Sequence, residues 1–81
     1  MTREKLITSI ASILTTALET EPSPFPESYA YMALGSDMSS WEQVRDALVG
    51  AGLVAIAGNV IRLTERGRMT AQECNAVLAG R

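Results

Sequence analysis

The sequence predicts a small, mostly helical α+β domain in which one β-hairpin precedes the last helix. Three observations support this class. Apolar residues recur at three- and four-residue spacing near both ends of the chain, which is the period of an amphipathic helix. Two short β-branched runs flank Gly58-Asn59, a dipeptide that favours a tight turn. The 81 residues, 47% of them hydrophobic, supply one core and no second domain.

The first element, within residues 1–21, is predicted to be a scaffold helix with Thr2 as its N-cap. Its opposite face carries hydroxyl groups and few charges, which does not suit a helix lying on phosphates. Three prolines, Pro22, Pro24 and Pro26, end it. The predicted buried face comprises Leu6, Ile7, Ile10, Ile13, Leu14, Ala17 and Leu18.

Residues 24–52 predict two helices joined by a short turn. Pro24 or Pro26 suits the first turn of the earlier helix, and Gly35 suits its end. We expect its buried side to hold Tyr29, Ala30, Ala33 and Leu34. Tyr31 is therefore the aromatic residue expected at the surface.

The third helix has clearer boundaries. Ser39 followed by Glu42 forms a capping box, and Ser40 with Gln43 repeats it one step later. Gly52 is predicted to end the helix. The apolar side, with the tryptophan in the core, comprises Trp41, Val44, Ala47, Leu48 and Ala51.

Residues 53–64 predict the hairpin, with Ile61 and Leu63 on one face and Val60 and Arg62 on the other. The last helix spans residues 65–79 and begins after Thr64, its expected cap. Its predicted buried stripe comprises Gly67, Ala71, Cys74, Val77 and Leu78.

The composition excludes several kinds of site. The chain has no histidine and one cysteine, so zinc clusters and imidazole-based triads are not expected. No nucleophile-and-base set is recognisable, and we predict no catalytic residue, metal or cofactor. Cys74 has no partner for an internal disulfide, which favours a reducing cytoplasm. Hydroxyl residues interrupt the N-terminal apolar run, and no run approaches the ~20 apolar residues of a membrane span, so neither a signal peptide nor a membrane location is expected.

Three short stretches resemble a known family. They are Val49-Gly-Ala-Gly-Leu-Val54, Gly58-Asn59-Val-Ile61 and Leu63-Thr-Glu-Arg-Gly67-Arg68. Together they resemble the end of the recognition helix and the wing of winged helix-turn-helix domains of the prokaryotic transcriptional regulator type, over residues 24–78. The resemblance implies DNA binding, with the third helix in the major groove and the wing against phosphate.

Under this hypothesis, the double-stranded DNA contacts fall on two elements. The third helix offers Ser40, Gln43 and Arg45, of which the last two suit bidentate contacts to adenine and guanine. The hairpin and the last helix offer Arg62, Arg66 and Arg68 as phosphate anchors. So few contacts would require a homodimer, for which the first and last helices are the expected surface.

The four arginines also have a purely structural interpretation. Arg45 would form an i, i+3 ion pair with Glu42, and the other arginines would be ordinary solvent-facing polarity.

An alternative hypothesis is a protein-interaction module, such as a phage or host inhibitor or adaptor. The chain has a formal charge of −2, and residues 22–52 contain four acids and one base. Acidic side chains on a recognition helix meet phosphate badly but suit a basic protein surface. The residues expected to form that contact are Glu42, Asp46 and Val49.

Overall fold

The computed structural model describes residues 2–79, with side chains as far as Val77. The elements in chain order are α1 (Arg3–Thr20), β1 (Phe25–Pro26), α2 (Glu27–Ala33), α3 (Met38–Gly50), β2 (Val54–Ala57), β3 (Val60–Leu63) and α4 (Glu65–Ala79). The α+β class, the helical majority and the hairpin before the last helix are confirmed.

The hairpin belongs to a three-stranded antiparallel sheet of order β1-β3-β2. Strand β1 was not predicted. Its two residues pair with β3 in the register Phe25 opposite Ile61 and Pro26 opposite Val60. Assigning Pro24 or Pro26 to the first turn of α2 was therefore wrong, because α2 begins at Glu27. Pro26 closes β1 and is the N-cap residue of α2. A proline without an N–H is tolerated there because β1 is an edge strand.

The turn of the hairpin has the predicted chemistry. Gly58 and Asn59 have φ angles of 58° and 61°, the left-handed values of a type I′ turn. Arg62 lies opposite Ala55 and is exposed, whereas Ile61 is buried, as the alternation predicts. The Glu27 N–H donates to the Asn59 carbonyl at 2.7 Å, which ties the tip of the hairpin to the start of α2.

The helix caps are partly as expected. The Thr2 hydroxyl accepts from the Lys5 N–H at 3.2 Å, which confirms the cap of α1. The capping box at Ser39 was wrong, because α3 begins earlier and Asp37 is its cap. The Asp37 carboxylate accepts from the Ser39 N–H at 3.1 Å and from the Ser40 hydroxyl at 2.8 Å. An aspartate caps a helix at least as well as serine, so the earlier start is favoured.

One local network ends α3, joins it to the sheet and begins α4. Gly52 has a φ of 72°, and its N–H and that of Leu53 donate back to Val49 and Leu48, the pattern of a Schellman motif. The Thr64 hydroxyl donates to the Gly52 carbonyl at 2.6 Å. It also accepts from the Gly67 N–H at 3.0 Å, which confirms Thr64 as the cap of α4.

The core lies where α1, α3, α4 and the sheet meet. Trp41 is 1% exposed, so its prediction as a core residue is confirmed. The buried residues of α1 all lie in its second half. The buried apolar residues that form the core are Ile13, Leu14, Ala17, Phe25, Ala30, Trp41, Val44, Leu48, Val54, Ile61 and Ala71.

Several residues expected in the core are not there. Ile7, Tyr29, Ala33, Ala51 and Val77 are exposed, and Cys74 is half-buried. The expectations for the two tyrosines were reversed, because Tyr31, not Tyr29, packs against the core. Helix α2 has only seven residues, too few for apolar periodicity to identify its buried side. The side chain of Leu78, also expected in the core, lies outside the described residues.

Candidate interaction surfaces

The exposed side of α3 combines apolar and acidic residues. Met38, Glu42, Arg45 and Val49 follow one another at four-, three- and four-residue steps, which places them within about 60° on the helix surface. We call these four residues the α3 stripe, with exposed Asp46 at its edge. Met38 is 52% exposed and Val49 49% exposed. The predicted protein-contact residues Glu42, Asp46 and Val49 are thus together at the surface.

Arg45 is held by acids of two elements. Its NH1 lies 3.5 Å from Glu27 Oε1 on α2, and its Nε lies 3.8 Å from Asp46 Oδ1. The predicted ion pair with Glu42 was wrong, because the Arg45 side chain turns towards α2. Its guanidinium is therefore not directed freely outward, as a contact to guanine would require.

Glu27 connects α2 with α3. Its Oε1 accepts a hydrogen bond from the Trp41 indole N–H at 2.9 Å as well as the contact from Arg45. The Glu27 side chain is 19% exposed. The role of Glu27 could not be predicted from the sequence, because both of its partners lie far along the chain. Its position after the prolines, at the start of α2, was the one local signal.

The other two residues of α3 that are predicted to contact DNA, Ser40 and Gln43, differ in their surroundings. Ser40 is half-buried and donates its hydroxyl to Asp37, so it serves the helix cap. Gln43 is exposed, and no described residue bonds its amide.

The three arginines after the hairpin turn have three different environments. Arg68 forms two hydrogen bonds with Glu21, at 2.7 and 3.2 Å. The hydrogen bonds from Arg68 hold the pKa of Glu21 below its usual value, and the same bonds raise the pKa of Arg68. Arg66 reaches the Ala51 carbonyl at 3.5 Å. Arg62 is exposed, and it has no ion pair or side-chain hydrogen bond within residues 2–79.

The terminal helices, predicted as a dimer surface, pack against each other within the chain. The Arg68–Glu21 pair joins the first turns of α4 to the end of α1. Among the described side chains of these two helices, the large apolar ones left exposed are Ile7, Met69 and Val77. The homodimer stays a prediction.

The described residues contain no group of three or more acidic, cysteine or histidine side chains placed to hold a metal ion. None of the helices in residues 2–79 combines the length and apolar character needed to cross a membrane. Comparison with family models, curated proteins and solved structures finds no match for the chain.

Proposed function

We propose that the chain is a non-catalytic winged helix-turn-helix domain that binds a protein with a basic surface through the α3 stripe. The architecture is supported by the order of elements: α2 and α3 are joined by a four-residue connection, and a hairpin and a last helix follow. Motif resemblance to prokaryotic regulators supports the same assignment over residues 24–78. The resemblance concerns fold, so the partner must be argued from the surface.

The composition of the α3 stripe is the observation that supports a protein partner. Two exposed apolar residues, Met38 and Val49, flank Glu42 on the side of the helix that would enter a major groove. Asp46 and Glu27 compensate the single positive charge of Arg45. An apolar and acidic surface repels phosphate and complements a basic protein surface with apolar contacts.

DNA is the second candidate, and Arg62 is the observation that favours it. Its guanidinium is free to reach a phosphate, whereas Arg68 is engaged by Glu21. A single phosphate contact gives a salt slope of about −0.9, so affinity falls only about 3.5-fold between 50 and 200 mM salt. Such a contact is too weak to retain DNA on one chain without a second copy.

The test compares two charge reversals that change the net charge equally. Glu42→Lys alters the α3 stripe, and Glu73→Lys alters an exposed position on α4. The immobilised protein is exposed to an extract of the organism that encodes it, and captured proteins are quantified by mass spectrometry. We expect Glu42→Lys to reduce one basic partner about tenfold or more, because like charges then face each other. Glu73→Lys retains that partner.

A parallel measurement follows the anisotropy of a labelled random DNA duplex at about 50 mM salt, where nonspecific binding is strongest. No increase is expected on adding the protein. Equal capture by Glu42→Lys and Glu73→Lys would show the protein proposal to be wrong. Retention of DNA that disappears in Arg62→Glu would establish the second candidate in its place.

A further inference from the structure

A cleft of about 420 Å³ lies between α2, α3 and the tip of the hairpin. Tyr31 and Met38 form apolar walls, Asn59 lies at the hairpin side, and Glu27 contributes a carboxylate. Arg45 also lines the cleft. The cleft adjoins the α3 stripe, since Met38 and Arg45 belong to both.

Within the described residues, only one of the two oxygens of the Glu27 carboxylate accepts hydrogen bonds. Both of its contacts, from the Trp41 indole and from Arg45, go to Oε1. No described residue bonds Oε2. In the described part of the chain, every polar side-chain atom that is buried from solvent has a hydrogen-bond partner. Because Glu27 Oε2 has none, it is open to the cleft or to solvent. A carboxylate has about four acceptor positions, and this one therefore retains capacity for further donors.

The internal cation does not saturate this carboxylate. Arg45 lies 3.5 Å from Glu27 Oε1 and 3.8 Å from Asp46 Oδ1, both longer than the 2.7–2.9 Å typical of charge-assisted hydrogen bonds. Its side chain is 35% exposed. Within the cleft lining, Glu27 is the carboxylate and Arg45 the cation, whereas Asp46 lies outside it. Because the Arg45 contact is long, Glu27 can still accept from a second, better placed cation.

We propose that the α2–α3 cleft is a binding site for one arginine side chain of the partner, with Glu27 Oε2 accepting from its guanidinium. A guanidinium presents parallel N–H donors that match a carboxylate, and its plane and methylene stem suit aromatic and thioether walls. Tyr31 and Met38 supply those walls. This inference rests on the proposed protein partner and names the group by which that partner is recognised.

The test uses N-acetyl-arginine methylamide as the probe, which isolates the guanidinium from other charges. The citrulline analogue is the neutral control of the same shape, and the lysine analogue tests whether charge alone suffices. Trp41 is the single tryptophan, so its indole N–H gives one assigned signal in a ¹H–¹⁵N spectrum, beside the proposed site. We expect a saturable shift of this signal with the arginine probe, a weaker response with the lysine probe and none with the citrulline probe.

Variants locate the binding group. Glu27→Gln keeps an oxygen that accepts from the Trp41 indole, so the fold is retained, yet it removes the charge. The apparent affinity for the arginine probe is expected to fall about tenfold or more, as for loss of a charged hydrogen-bond partner. Arg45→Ala removes the internal competitor and should strengthen binding. Glu42→Gln, outside the cleft lining, should leave it unchanged.

Equal shifts with the arginine and citrulline probes, or an unchanged affinity in Glu27→Gln, would overturn the proposal. The variants also distinguish failure of the arginine site from failure of the proposed function. If a partner is lost on Glu42→Lys but fully retained on Glu27→Gln, the protein partner stands and the arginine site does not. If neither variant changes capture but the probe still binds through Glu27, the cleft is a cation site and the proposed partner surface is wrong.

Discussion

At Gly67, α4 passes close to the backbone that leaves α3. A Cβ built on it would collide with the Leu53 carbonyl oxygen and would lie 2.8 Å from the carbonyl carbon. The Leu53 carbonyl cannot move away freely, because it accepts from the Thr64 N–H at 3.1 Å. The absence of a side chain at Gly67 therefore permits this approach of helix and backbone.

We predict that Gly67→Ala lowers the free energy of unfolding by about 1–3 kcal/mol, although alanine is the better helix former. Gly50→Ala is the matched control, since Gly50 is also helical and a Cβ there meets nothing within 4 Å. The control should be neutral or gain up to about 1 kcal/mol. Urea unfolding followed by circular dichroism measures both. Equal effects would mean that α4 does not pack closely on Leu53.

At the scale of elements, the turns were predictable and the short strand was not. Gly52 and Gly58-Asn59 adopt the left-handed backbone conformation that ends a helix or turns a hairpin. The end of α3 and the hairpin could therefore be predicted from the local sequence. Strand β1 has two residues and exists only because β3 lies beside it. No periodicity can reveal such an element before the chain is folded.

The pair of Glu21 and Arg68 connects the end of α1 with the start of α4, and it gives this contact a pH dependence. The pKa of Glu21 is lowered in the folded chain by the hydrogen bonds from Arg68. A lowered folded-state pKa contributes stability above the unfolded pKa and loses it as pH falls through the folded pKa. The contribution is thus complete at pH 7, begins to fall as the pH approaches the ordinary glutamate pKa of about 4.3, and is lost as the pH falls through the lowered pKa of Glu21.

We therefore predict that Glu21→Gln lowers the urea midpoint relative to the native sequence at pH 7, and that the difference shrinks steadily as the pH falls below about 4. Because the pair is largely exposed, added salt should also reduce the difference. Glu19→Gln, an exposed position without a described hydrogen bond, serves as the control and should show little difference at either pH. A Glu21→Gln deficit that persists undiminished at pH 3 would contradict the role of this ion pair.

At the scale of the whole molecule, the acidic and apolar face of α3 could be predicted from the sequence, but the cleft beside it could not. Glu42, Asp46 and Val49 are neighbours on one helix, so their common exposure follows from helical spacing. Glu27 meets Trp41 and Arg45 across 14 and 18 residues of chain. Such a meeting depends on how α2 packs on α3. Only the folded chain shows that Arg45 turns to α2 and leaves Glu42 unpaired among the described residues.

The same dependence on packing decides which apolar residues of α1 stabilise the fold. Helical periodicity places Ile7 and Leu14 on one face, yet Leu14 is fully buried and Ile7 is 56% exposed. A domain of this size has a free energy of unfolding of about 4–12 kcal/mol. Leu14→Ala should remove about 2–5 kcal/mol of it through lost contacts and a residual cavity.

Ile7→Ala should cost less than about 0.5 kcal/mol, as is usual for a surface position. Thermal unfolding separates the two, because about 1 kcal/mol moves the Tm of a domain this small by 4–8 °C. We expect Leu14→Ala to lower the Tm by about 10 °C or more and Ile7→Ala by no more than about 4 °C. Comparable losses would mean that the first turns of α1 are covered in solution by a second copy of the chain, and would favour the predicted homodimer.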